Sequence, residues 1–157
     1  MLLRYLTFAA IFAWPAAAQD VADMAPRDGW VVAATPKPFD ALVEQTRASA
    51  QVGGLAVVTV AGPTGAAAGR GIDIPGNRII GLFNNDFAVR ILRLSTAAMI
   101  EAPIRVYVTE NTDGTATLSY KLPSAVLAPY VTEAPALSDI AEELDAAFAA
   151  VAQAATQ

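Results

Sequence analysis

The sequence predicts an α+β domain: one antiparallel or mixed sheet of about five strands, with helices packed on one face. Three observations predict it. Stretches with the two-residue alternation of half-buried strands are interspersed with stretches at the three-to-four-residue spacing of amphipathic helices. From Ile104 to Leu122 two alternating strands flank an Asp-Gly turn, which makes them antiparallel neighbours. The order along the chain, β-α-β-(short α)-β-α-β-β-α-α, contains no repeat and no interdomain linker. A chain of 157 residues holds one such domain with its own core.

The first 18 residues stand apart. Arg4 supplies a positive start, and Tyr5 to Trp14 is an apolar run of roughly ten residues, too short for a bilayer core of about 30 Å. Pro15 breaks the run, and Ala16-Ala17-Ala18 offers a small-residue cleavage site. We read residues 1–18 as a secretory signal peptide and expect a protein of the bacterial periplasm or the exterior. The chain has no cysteine, so lipoprotein attachment is excluded and packing alone must hold the fold. No later apolar run approaches transmembrane length. Residues 19–28, polar and carrying Pro26, read as a flexible leader. The domain proper is expected over 29–152, with 153–157 a frayed tail.

Trp30 to Thr35 is the first strand. Pro38 suits the first turn of a helix, and Phe39, Leu42, Val43, Thr46 and Ala50 recur at helical spacing until Gly53-Gly54 stops them. Leu55 to Val60, valine-rich and uncharged, predicts a second strand buried on both faces. Gly62 to Gly71 is a loop or a short alanine helix, and Pro75-Gly76-Asn77 turns the chain into a third strand ending at Phe83. Phe87, Ile91, Leu94 and Ala98 then form one helical stripe. Asn85 or Asp86 is the expected cap, Asp86 the expected partner of Arg90, and Pro103 the terminator.

The hairpin permits a firmer deduction. Ile104, Val106 and Val108 must share a face with Leu118, Tyr120 and Leu122, so even positions must pair with even ones. A two-residue Asp113-Gly114 loop would pair even with odd. A three-residue loop, Thr112-Asp113-Gly114, places Val108 opposite Leu118 and Val106 opposite Tyr120, with Gly114 at positive φ. After it, Pro123 to Tyr130 reads as a short helix with Ser124 as a possible cap. A last helix is expected to start at an Asp139–Glu142 capping box and to bury Ile140, Leu144, Ala147, Phe148 and Val151.

From Phe39 to Pro123 the chain resembles the DUF302 family of small domains of unknown function. Phe83 and Asn85 match the family's Phe-Gly-Asn-Pro, with Asn84 replacing the Gly and Asp86 the Pro. Glu101-Ala102-Pro103 stands for its Asp-Leu-Pro, and Gly114, Tyr120 and Pro123 keep their places. The resemblance implies an α+β fold and a homodimer, and no established activity. Members often carry a histidine after the second strand; this chain has none, so no metal or acid–base role of that residue operates here.

Composition narrows the chemistry further. The net charge is −5, which argues against nucleic-acid binding. Without histidine or cysteine, Ser-His-Asp and Cys-His catalysis, zinc sites of imidazole or thiolate, and histidine-ligated haem are excluded in their usual forms. Asp139, Glu142, Glu143 and Asp145 read as a solvated helix face, and the glycine-rich segment lacks a phosphate-loop ending. We therefore expect no cofactor, no metal and no catalytic constellation. The ligand-site candidates are Asn84, Asn85 and Asp86 at a strand-to-helix junction, Glu101 near the end of the following helix, Tyr107 on the polar face of the hairpin, and Tyr120 on its apolar face. Glu101 at a helix C-terminus needs a partner, for which Arg78, Arg90 or Arg105 is expected. The leading expectation is a non-enzymatic module, a homodimer, binding a small molecule or an envelope protein. The alternatives are an enzyme using Glu101 as acid or base with Asn85 or Tyr120, and a structural envelope protein.

Overall fold

A computed structural model describes residues 21–157. The expected signal peptide and the first two leader residues lie outside the described residues. Five strands form one sheet: β1 Trp30–Thr35, β2 Ala56–Ala61, β3 Asn77–Phe83, β4 Ile104–Glu110 and β5 Ala116–Lys121. Their order is β1-β5-β4-β3-β2, and every pairing is antiparallel. The helices are α1 Phe39–Ser49, α2 Thr64–Ala68, α3 Asn85–Leu94, α4 Pro123–Val131 and α5 Leu137–Thr156.

The hairpin register is the one that parity requires. Val106 pairs with Tyr120 and Val108 with Leu118. The Asn111 N–H donates to the Thr115 carbonyl at 2.8 Å, enclosing a loop of 112–114, and Gly114 adopts φ +82°. The apolar face of this register lies under α1 and α5, with α3 and α4 against α5. Ile80, Leu82, Val106, Val108, Leu118 and Tyr120 are buried from the sheet side; Leu42, Leu137, Ile140, Leu144, Phe148 and Val151 are buried from the helices. Each such side chain contributes about 1.5–3 kcal/mol of burial, which lets a cysteine-free chain hold together.

Several local expectations are corrected. β2 is an edge strand, and most of it is exposed, with Val58 at 50 % and Val60 at 45 %. An uncharged apolar run shows that a strand tolerates burial, not that anything covers it. α3 stops at Leu94, because Ser95 turns extended (φ −155°, ψ 115°); a separate 3₁₀ turn, Ala98–Glu101, follows. Leu94 is exposed, so the long stripe to Ala98 is broken. α5 begins at Leu137 without a side-chain cap, so the Asp139–Glu142 box does not form. Its last turn is helical to Thr156, with Ala155 buried and its carbonyl accepting from Lys37 Nζ at 2.9 Å, where a frayed tail is expected. Ser124 is not a cap either: its N–H donates to Asp145 Oδ1 from α5 at 2.9 Å.

The other face of the sheet carries the odd-numbered positions of β3, β4 and β5 and the even-numbered positions of β1, since directly opposed residues share a face. Trp30 pairs with Lys121, and Ile79 with Tyr107. The described leader runs along this side. Asp23 Oδ1 accepts the Thr112 N–H at 2.8 Å, and the Arg27 guanidinium lies 5.2 Å from the Trp30 ring centroid. No described helix is long and apolar enough to cross a membrane.

Candidate functional site

The site arises where the hairpin ladder stops early. The last β4–β5 pair is Val106 with Tyr120. Arg105 and Lys121 continue the two strands opposite each other without pairing, although each keeps its outer partner, Gly81 and Trp30 respectively. A cleft of about 290 Å³ opens at this end of the ladder, lined by residues of both strands. Trp30, Tyr107, Ile79 and Ile104 form its walls, with Val126 reaching in from α4. Tyr120 lies at the floor, only 2 % exposed and stacked on Phe148 at a centroid distance of 5.5 Å. Its hydroxyl makes no hydrogen bond to the described residues. Burial, and then the negative charge of Asp145, push its pKa above the usual phenol value, so it stays a donor across neutral pH.

Three charged side chains line the same cleft: Glu101, Arg105 and Lys121. Among the described residues, neither Arg105 nor Lys121 forms an ion pair. The Lys121 ammonium instead lies 5.7 Å from the Trp30 ring centroid, on the other cation's aromatic platform. Glu101 does have a partner, but not the expected arginine. The Tyr130 hydroxyl donates to Glu101 Oε1 at 2.7 Å, and that bond raises the tyrosine's pKa. With α3 ended at Leu94, Glu101 sits on the 3₁₀ turn, so the helix-dipole reason for a cationic partner falls away.

Glu101, Tyr107 and Tyr120 are thus brought together, while Asn84, Asn85 and Asp86 are not. Asn84, rather than Asn85 or Asp86, caps α3: its Oδ1 accepts the N–H groups of Asp86 at 2.7 Å and Phe87 at 3.2 Å. Its Nδ2 donates to the Gly54 carbonyl at 2.8 Å, so the whole amide finishes secondary structure. Asn85 borders a separate hollow with Gly54 and Phe83, sharing no lining residue with the cleft. Asp86 is exposed and does not reach Arg90, which makes a bidentate bond to Glu143, both contacts 2.7 Å. The carboxylates of α5 are therefore dispersed, and no three potential metal ligands gather among the described residues.

Residues 31–155 match the family described as "Domain of unknown function DUF302". The chain belongs to the DUF302 family. The match extends beyond the hairpin to both ends of the sheet and through α5. A solved structure, "Crystal structure of uncharacterized conserved protein DUF302 from Bacillus stearothermophilus", is similar with a TM-score of 0.72 at 18 % identity, covering 82 % of this chain and 99 % of that one. At that identity the likeness shows the fold. No curated protein matches the chain. In DUF302 terms, the Phe83–Asp86 motif is the β3–α3 junction with Asn84 as its cap, and Gly114 is the left-handed residue of the hairpin loop. Trp30 and Lys121 are site residues that motif reading missed. Parity could have found Lys121, since Arg105, Tyr107 and Lys121 occupy odd hairpin positions on one face.

Proposed function

We propose that this DUF302 domain is an exported, non-enzymatic binding module that takes a small molecule in the cleft between β4 and β5. The early end of the ladder carries the reading: it leaves an apolar-walled opening lined by two cations that form no ion pair among the described residues. Pockets of this kind, mostly apolar with a few convergent polar groups, are the usual form of ligand sites. The N-terminal pattern supports export. The enzyme reading is weaker, because Asn85 lies apart from Glu101 and one Glu101 oxygen is already bonded to Tyr130.

Trp30 in the cleft wall reports on occupancy. With Trp14 replaced by phenylalanine, it is the chain's sole tryptophan. Ligands drawn from a metabolite library by thermal shift should change its fluorescence saturably, and Tyr107→Ala should weaken them. Hits that leave Trp30 unperturbed would place binding elsewhere and sink the reading.

A homodimer or envelope contact is the second reading, and β2 supports it. No charged residue occurs between Arg47 and Arg70, and β2 offers an unpaired edge with exposed valines. Such an edge pairs with a second strand unless it is guarded. The register break between Val57 and Thr59 shortens the ladder it could form. Mass in solution should be that of two chains, falling to one in Val60→Lys; a monomer at all concentrations would remove this reading.

A further inference from the structure

The charges at the cleft have a direction that its walls do not explain. The protein is acidic overall, at −5, yet Arg105 and Lys121 both line the opening without a carboxylate partner among the described residues. Arg27 lies over the same Trp30 ring as Lys121. Glu101, the lining carboxylate, is bound by the Tyr130 hydroxyl instead of pairing with the cations. A cationic ligand would meet like charge on one side of the cleft, and a neutral one would leave both cations uncompensated. An anion would gain charge-assisted hydrogen bonds from Arg105 and Lys121. Trp30, Tyr107, Ile79 and Ile104 would cover the rest of such a molecule. At about 290 Å³ the cleft lies at the small end of the roughly 300–1,000 Å³ range of ligand pockets.

Resting on the cleft reading above, we infer that the ligand is a small amphiphilic anion: an aromatic or branched aliphatic body carrying one carboxylate, sulfonate or phosphate group. The acidic group sits between Arg105 and Lys121, and the body lies against Trp30 and Tyr107. The specificity residues are then the two cations, and the affinity residues are the aromatic walls.

A matched pair of dyes separates the two roles. Anilinonaphthalene sulfonate and N-phenylnaphthylamine share an aromatic body and differ in the sulfonate. The full chain should bind the sulfonate about tenfold more tightly than the neutral dye. Arg105→Gln with Lys121→Gln should bring the two affinities close together, through a loss that falls mainly on the sulfonate. Trp30→Ala should weaken both. Salt gives a measure that needs no variant: raising it from about 0.05 to about 0.5 M should weaken the sulfonate several-fold and leave the neutral dye no weaker. Equal binding of the two dyes to the unaltered protein, or a preference that survives the double substitution, would overturn the anion assignment while the cleft reading stands. Indifference of both dyes to Trp30→Ala, in a variant whose circular dichroism is unchanged, would overturn the cleft reading itself.

Discussion

The two ends of the β4–β5 hairpin are built from similar residues and treat their polar groups in opposite ways. At the loop end the side chains of Asn111, Asp113, Thr115 and Thr117 bond one another, although the Thr109 hydroxyl opposite Thr117 is buried without a partner among the described residues. Asn111 Nδ2 donates to Thr115 Oγ1, Asp113 Oδ1 accepts both the N–H and the hydroxyl of Thr115, and the Thr117 hydroxyl donates to Asn111 Oδ1. The Thr115 hydroxyl is the main reason that the Asp113 carboxyl is held below the usual carboxylate range. At the open end the ladder stops before Arg105 and Lys121, and neither cation forms an ion pair among the described residues. Polar groups that complete local structure are consumed by it. Those left over at the open end are available to something from outside, and they carry the functional proposal.

Four measurements would break or sharpen that contrast, from the largest effect to the smallest. Phe148→Ala removes the support under Tyr120 at the open end and should cost about 3–5 kcal/mol in denaturant unfolding. A loss below about 1 kcal/mol would mean that the floor of the cleft is not part of the core. Gly114→Val at the closed end should cost about 1–2 kcal/mol from backbone strain alone, since φ is +82° and an added Cβ would meet nothing within 4 Å. Gly114→Asn should lose clearly less, and equal losses in the two variants would point away from the left-handed conformation. Asn84→Ala strips a side chain that is fully consumed and should destabilise by about 1 kcal/mol without altering dye binding. A binding defect in that folded variant would move the site toward the β3–α3 junction.

The smallest effect concerns Arg90, a cation that has the partner Arg105 lacks. Its hydrogen bonds lower the Glu143 pKa in the folded chain, so the pairing stabilises at pH above the ordinary glutamate value of about 4.3 and is lost as pH falls through the folded value. The fall in Tm between about pH 5 and pH 3 should therefore be shallower in Glu143→Gln, and the difference should shrink in high salt because both side chains are exposed. Identical pH slopes for the two proteins would show that the pair contributes nothing to stability.

Parts of the site were legible because they obey local rules. Tyr107 and Tyr120 fall on opposite faces by alternation, and both still line the cleft. Glu101 was legible as a residue that needs a partner, but Tyr130 was not legible as that partner. The helix that supplies it lies across a turn, a strand, a loop and another strand, and no spacing rule links the two positions. Asn84 escaped as the cap because three adjacent polar residues can each cap a helix, and only backbone angles select among them. β2 misled for a different reason. Its residues carry no sign of exposure, and its edge position follows from which strands β3 and β4 choose as neighbours.

By itself the sequence determined the element order, the hairpin register with its left-handed Gly114, and the α+β class, because each of these follows from side-chain periodicity and from turn chemistry acting over a few residues. Only the tertiary structure decided that β1 returns to pair with β5, setting Trp30 beside Lys121, and that β4 and β5 separate one pair short of their ends. Those features depend on contacts between residues about ninety positions apart in one case, and on the packing of a whole sheet end in the other. Neither leaves a periodic trace in the chain, because a long-range pairing is set by the competition among all possible strand neighbours and not by the residues of any one strand.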